Sequence, residues 1–158
     1  LARVENGVGW ITFNQPEKRN AVSFDMWKAI PQIVDAFTAD DIVRVVVMRG
    51  AGNKAFVSGA DISEFEEKRS TEDQIKIYDE TMSAANSALK SIKKPLIAAI
   101  LELYVGGGLG IALTADLSVA ADDGQFGQPV GQKGQGGHAG LASGGVLWRS
   151  LGAGGVHV

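Results

Sequence analysis

The sequence predicts an α/β domain, and three observations carry that expectation. Short apolar, β-branched runs alternate with longer stretches whose apolar residues recur at intervals of three and four. Glycine-containing turns stand where runs of the first kind hand over to stretches of the second. The resulting order is strand, helix, strand, helix, strand, helix, strand, which is the alternation of a sheet covered by helices.

Each element has its own reason. Val8 to Phe13 is β-branched and aromatic and ends on the turn residues Asn14-Gln15-Pro16, so it reads as a strand. Ser23 caps a helix whose apolar positions are Phe24, Trp27, Ile30, Val34 and Phe37. Pro31 inside it removes one backbone hydrogen bond and is expected to bend it. Val43 to Met48 is nearly continuous apolar chain, the pattern of a strand covered on both faces, with Gly50-Ala51-Gly52 as its turn. A short segment, Ala55 to Val57, leads into Ser58-Gly59-Ala60-Asp61. Thr71 and Gln74 form a capping box, and Ile75, Tyr78, Met82, Ala85, Leu89 and Ile92 place one apolar face on the helix that follows. The basic residues Lys90, Lys93 and Lys94 suit the negative pole of that helix. Leu96 to Leu101 reads as a buried strand, Gly106-Gly107-Gly108 opens a helix running to about Asp116, and Leu117 to Ala120 is a further strand.

Composition removes several classes of function. The chain has 158 residues, 45% of them hydrophobic and 21% charged, which supports one globular core. A net charge of −3 gives no field for gripping nucleic-acid phosphates or an anionic membrane. Without cysteine there is neither a disulfide framework nor a thiolate nucleophile, and His138 and His157 lie far from any acidic run with ligand spacing, so no metal site is expected. No apolar run reaches membrane-spanning length and no signal peptide opens the chain, so the protein reads as soluble and cytoplasmic. Glycine is uneven: five of the 21 fall in residues 1–105 and 16 in residues 106–158. From Gly131 to Val158 no acidic residue occurs and ten of 28 residues are glycine, so that stretch has little to bury and reads as loop or disorder; starting at Leu1 without Met and ending on Gly-Ala-Gly-Gly-Val-His-Val, the chain reads as a fragment.

Two turns carry candidate chemistry, Ser58-Gly59-Ala60-Asp61-Ile62 and Gly106-Gly107-Gly108. Both expose backbone N–H groups at the start of a helix, and glycine lets a ligand atom approach the backbone. Facing each other they would hold an oxyanion; alone, each reads equally well as a tight turn. Nucleotide motifs fail on spacing, since Ile111 stands where a dinucleotide fingerprint needs glycine and no Gly-Lys-Ser/Thr run is present. A nucleophile elbow fails because Leu141 precedes Ser143 where glycine is required.

Four blocks in register nevertheless point to a family. Asn14-Gln15-Pro16-Glu17-Lys18-Arg19-Asn20-Ala21, Lys54 through Ile62, Gly106-Gly107-Gly108 with Asp116 eight residues on, and Gln125-Phe126-Gly127-Gln128-Pro129 together resemble the enoyl-CoA hydratase/isomerase (crotonase) family. The resemblance covers residues 1–130 and implies a crotonase-like fold of repeated ββα units, incomplete at its C-terminus, with residues 131–158 an atypical glycine-rich tail. It implies an acyl-CoA thioester as substrate, coenzyme A entering only as part of that substrate, and an enolate held by the N–H groups of Ala60 and Gly107. One such donor is typically worth about 10²–10³ in rate. Lys18, Arg19, Ala21, Ser58, Ala60, Asp61 and Ile62 match the segments that hold coenzyme A in the family, with Lys18 and Arg19 as phosphate contacts or, alternatively, a solvated charge pair. A homo-oligomer, trimer or hexamer, is also implied.

The departures are specific. Gly110 and Val130 stand where hydratases of the family carry their two acid–base glutamates. Each proton transfer so assisted is typically worth about 10²–10⁴, so a catalytically silent acyl-CoA-binding homologue is the alternative to an enzyme. A different reaction of the family, decarboxylation or hydrolysis with a base from elsewhere, also stays open. Asp61, Glu64, Glu102, Tyr104 and Asp116 are the nearest other polar groups, and each reads as structural or solvent-exposed. The abrupt change in composition leads to the expectation that residues 131–158 do not faithfully record a natural sequence.

Overall fold

The computed structural model describes residues 1–100, 103–105, 107–120 and 125–127. Its main sheet has five strands: β1 (Ala2–Glu5), β2 (Val8–Phe13), β3 (Val45–Gly50), β4 (Leu96–Ile100) and, in the same spatial order, β6 (Leu117–Ala120). β1 and β2 form an antiparallel hairpin, and every other pairing in this sheet is parallel. A second sheet pairs β5 (Leu103–Val105) with β7 (Gln125–Gly127). Among the described residues four α-helices accompany the sheets: α1 (Phe24–Ala39), α2 (Phe65–Lys68), α3 (Glu72–Ser91) and α4 (Gly107–Ala112). Two strands and a helix follow one another twice, as β1-β2-α1 and β4-β5-α4, which is the repeated unit the sequence resemblance implies.

Alternation places the core. In β2, Ile11 and Phe13 are buried and their neighbours half-exposed; in β3 the buried residues are Val46 and Met48, and in β4 Leu96, Ala98 and Ile100. Against that face lie Trp27, Ile30, Val34 and Phe37 of α1 and Tyr78, Ala85 and Leu89 of α3. Both helices show the spacing the sequence predicts, and both caps form: Ser23 accepts from the Met26 N–H, and Thr71 with Gln74 makes the complete capping box. Pro31 lies inside α1 as expected. Gly9 permits close approach of α1, because a Cβ there would stand 2.8 Å from the Phe37 ring.

Several boundaries depart from the sequence reading. β3 starts at Val45, not Val43, and runs through Gly50, which pairs with Phe13 and is not part of the turn. A Cβ at Gly50 would collide with the carbonyl of Ala55 and approach the Asn20 Nδ2 and the Phe56 carbonyl to 2.5 Å, so only glycine lets the strand pass beneath these groups. α4 stops at Ala112, not near Asp116. Asp116 brackets the first residue of β4 instead: its N–H donates to the Leu96 carbonyl and its carboxylate accepts from the Leu96 N–H, both at 2.8 Å. β1, β5, β7 and α2 are additional to the seven expected elements. The Asn6-Gly7 pair that closes the β1–β2 hairpin, with φ of 51° and 80°, is the sequence signal for the first of them. No helix among the described residues is long and apolar enough to cross a membrane.

Candidate active site

Two loops distant in sequence are fastened side by side. The first runs from Gln15 to Val22 and carries three of the sequence-derived residues, Lys18, Arg19 and Ala21; the second runs from Ser58 to Ser63 and carries Ser58, Ala60, Asp61 and Ile62. Ser58 donates through its N–H to the Arg19 carbonyl and through its hydroxyl to the Lys18 carbonyl, each at 3.1 Å. Val22 donates to the Gly59 carbonyl at 2.7 Å, and the Asp61 N–H donates to the Val22 carbonyl at 3.0 Å. These bonds make a parallel bridge between Val22 and Ala60. In such a bridge Val22 uses both its own polar groups while those of Ala60 point away from it. Among the described residues the N–H of half-exposed Ala60 has no acceptor.

Backbone conformation explains the residue types. Gly59 has φ of 127°, a region an L side chain rarely enters, and it turns the chain so that Ala60 meets Val22. Arg19 and Asn20 are both left-handed, at 53° and 56°. That strain is held in place by the Asn20 side chain, only 1% exposed, which accepts from the Gln15 N–H and donates to the carbonyls of Ala51 and Ala55 at 2.9 and 2.8 Å. Asn20 thereby joins the first loop to the end of β3.

Asp61 is the electrostatic centre of the second loop. Its carboxylate, 4% exposed, accepts from the Lys18 ammonium and the Gln15 amide, each at 2.7 Å, and from the N–H and hydroxyl of Ser63 at 3.0 and 2.6 Å. Burial pushes its pKa up, but hydrogen bonds from Lys18, Ser63 and Gln15 outweigh burial and hold the carboxyl well below the usual carboxylate range. Asp61 therefore stays ionised, as a clasp between the loops. The Lys18 ammonium also donates to the Ser63 hydroxyl at 2.7 Å, leaving one of its three protons uncommitted among the described residues. Arg19 is exposed, Ala21 is buried and Ile62 projects outward at 76% exposure.

The chain beyond the second loop is anchored to the helices. Glu64 accepts from the Phe24 N–H at 2.7 Å and so completes the N-terminus of α1. Tyr78 stacks on Phe24 and meets Phe65 edge-on, while the Arg69 guanidinium lies over both Phe65 and Tyr78. Burial pushes the Tyr78 phenol up from its ordinary pKa. Glu64 and Asp116 thus have the structural roles the sequence suggests for them.

Gly107 is the first residue of α4, where the helix makes no use of the N–H. Gly110 lies in the same helix, exposed, and a Cβ built there meets nothing within 4 Å among the described residues. Val130 and Glu102, with His138 and His157, lie outside the described residues. Among those described, no three side chains of His, Asp or Glu gather as metal ligands.

The sequence reading missed Asn20 as the hub of the first loop and Gln15 as a partner of Asp61. The Asn-Gln-Pro turn signal identifies that loop, but neither side-chain amide has a local pattern, because the groups their nitrogens donate to lie 31 to 46 residues away.

The family model for enoyl-CoA hydratase/isomerase matches residues 3–155. A short-chain-enoyl-CoA hydratase of Clostridium acetobutylicum is 34% identical over 125 residues, which is 79% of this chain and 47% of that protein. A crystal structure of an enoyl-CoA hydratase/carnithine racemase from Magnetospirillum magneticum superposes with a TM-score of 0.76 at 38% identity, over 82% of this chain and 48% of that one. An enoyl-CoA hydratase structure from Bacillus anthracis gives 0.71 at 26% identity, over 78% and 48%. The chain spans about half the length of the relatives it matches. By sequence and by fold, it belongs to the enoyl-CoA hydratase/isomerase family.

Proposed function

We propose that the chain binds an acyl-CoA thioester and stabilises the enolate of that thioester, in an enzyme of hydratase or isomerase type. The observation that carries the reading is the Ala60 N–H: half-exposed, turned away from Val22, and set between neighbours that are hydrogen-bonded on both sides. Proton loss or addition next to a thioester places negative charge on its oxygen, and a donor fixed beforehand stabilises that charge without reorganising. Gly107, at the start of α4, supplies the second donor. Arg19 and the uncommitted proton of Lys18 meet the phosphates of coenzyme A, which enters with the substrate. The assembly is a homo-oligomer, a trimer or hexamer, and sedimentation velocity checks it.

One observation favours a second reading. Gly110 and Val130 provide no carboxylates, so a silent acyl-CoA-binding protein keeps the cradle without the proton transfers. One experiment separates them: the chain is incubated with crotonyl-CoA and with a 3-enoyl-CoA, following the double bond and, in parallel, ligand binding. Turnover supports the enzyme, binding without turnover supports the silent homologue, and absence of both removes the shared premise.

A further inference from the structure

We propose that Asp61 and Lys18 act together as positioning residues for the Ala60 donor: the Asp61 carboxylate fixes the loop that presents the N–H, and the Lys18 ammonium cancels the carboxylate's charge beside the place where the substrate becomes negative. This inference rests on the thioester reading above.

The geometry supplies both halves. Asp61 follows Ala60 directly, and its N–H is one of the two bonds of the Val22 bridge, so whatever orients Asp61 orients the Ala60 amide. Four donors from Lys18, Gln15 and Ser63 hold its carboxylate. A buried, ionised carboxylate one residue from an oxyanion donor is otherwise a liability, because like charges repel strongly where water is excluded. Lys18 stands 2.7 Å from the carboxylate on the opposite loop and converts it into a neutral pair. Ser63 completes the pair: its hydroxyl donates to Asp61 and accepts from Lys18. The two functions make different demands. A tether alone needs hydrogen bonds, whereas charge compensation needs a cation whenever the carboxylate is present.

That difference defines the test. The full chain and its Lys18→Met, Asp61→Asn, double and Ser63→Ala variants are titrated with acetoacetyl-CoA, which forms an enolate with its own ultraviolet absorption, and with a thioether CoA that lacks the carbonyl. Lys18→Met weakens both ligands through the lost phosphate contact, weakens acetoacetyl-CoA by a further factor of about ten, a fraction of the 10²–10³ of a whole donor, and raises the pH at which the bound enolate forms. The double variant, with neither charge, recovers part of that loss. A double variant at least as impaired as Lys18→Met, or equal weakening of both ligands, overturns the proposal. Should these variants fail to fold, Ser63→Ala removes a single hydroxyl: selective loss of acetoacetyl-CoA binding supports the proposal and unchanged selectivity overturns it. A wild-type chain with no preference for acetoacetyl-CoA sinks the thioester reading and this inference with it, whereas a wild-type preference untouched by every variant sinks this inference alone.

Discussion

The Asn20 side-chain amide donates to the carbonyl of Ala55 at 2.8 Å across 35 residues of sequence, in a position sealed from solvent. The same nitrogen donates to Ala51, and the oxygen accepts from Gln15. Replacing Asn20 by Ala leaves these groups without their partner, and each such buried group costs about 1–3 kcal/mol. Asn20→Ala therefore lowers unfolding free energy by about 2–4 kcal/mol, given that neighbouring losses are not additive. Asn20→Asp is worse, because it sets a carboxylate against two carbonyl oxygens. Urea denaturation of the three proteins checks the order.

Acid stability follows from Asp61. Its carboxyl has a native pKa below the value of about 3.9 in unfolded chain. The native state thus binds fewer protons, and the stabilisation is fully present above about pH 4 and lost as pH falls through the native pKa. Asp61→Asn removes this component, so the stability of the variant falls less steeply than that of the wild type between about pH 4 and pH 2. Denaturation midpoints across that interval decide it; parallel curves would be the contrary result.

The Lys94 ammonium donates to the carbonyls of Phe37 and Asp40 at 2.6 and 2.5 Å, at the C-terminal end of α1. It satisfies carbonyls the helix leaves unpaired and adds positive charge at the negative pole of the helix. Lys94→Met, which keeps most of the apolar stem, costs about 1–2 kcal/mol by chemical denaturation.

Among the described residues nothing lies within 4 Å of a Cβ built at Gly110, which lies on α4 with the proposed second donor. Gly110→Glu therefore meets no described neighbour at its Cβ and also removes a helix-interior glycine, a gain of several tenths of a kcal/mol. If the missing carboxylate limits the chemistry, this variant raises crotonyl-CoA hydration by about 10²-fold or more over the wild-type chain, and Gly110→Gln does not. Equal rates for the Glu and Gln variants would contradict the assignment of that position.

Much of the fold was legible because its signals are local. The Ser23 and Thr71 caps, the apolar stripe from Trp27 to Phe37 and the run from Leu96 to Ile100 all express spacing within a single element. What escaped depends on partners far along the chain. Gly50 reads as a turn because glycine usually turns the chain; it is a strand residue because Asn20 and Ala55 cross above it. β1 escaped because all four of its residues are exposed and show no buried face. In the site, the Ser58-Gly59-Ala60-Asp61 turn was recognisable as a motif, whereas the use of Lys18 and Gln15 to hold Asp61 needed coordinates.

The Val22–Ala60 bridge joins residues 38 positions apart, with α1 and β3 between them. Its closure carries the entropic cost of a long loop and is rewarded only after β2 and β3 have aligned. The proposed donor at Ala60 is therefore expected to form late in folding. On mild heating, acetoacetyl-CoA binding at the proposed site should disappear while the helical signal of α1 and α3 still persists.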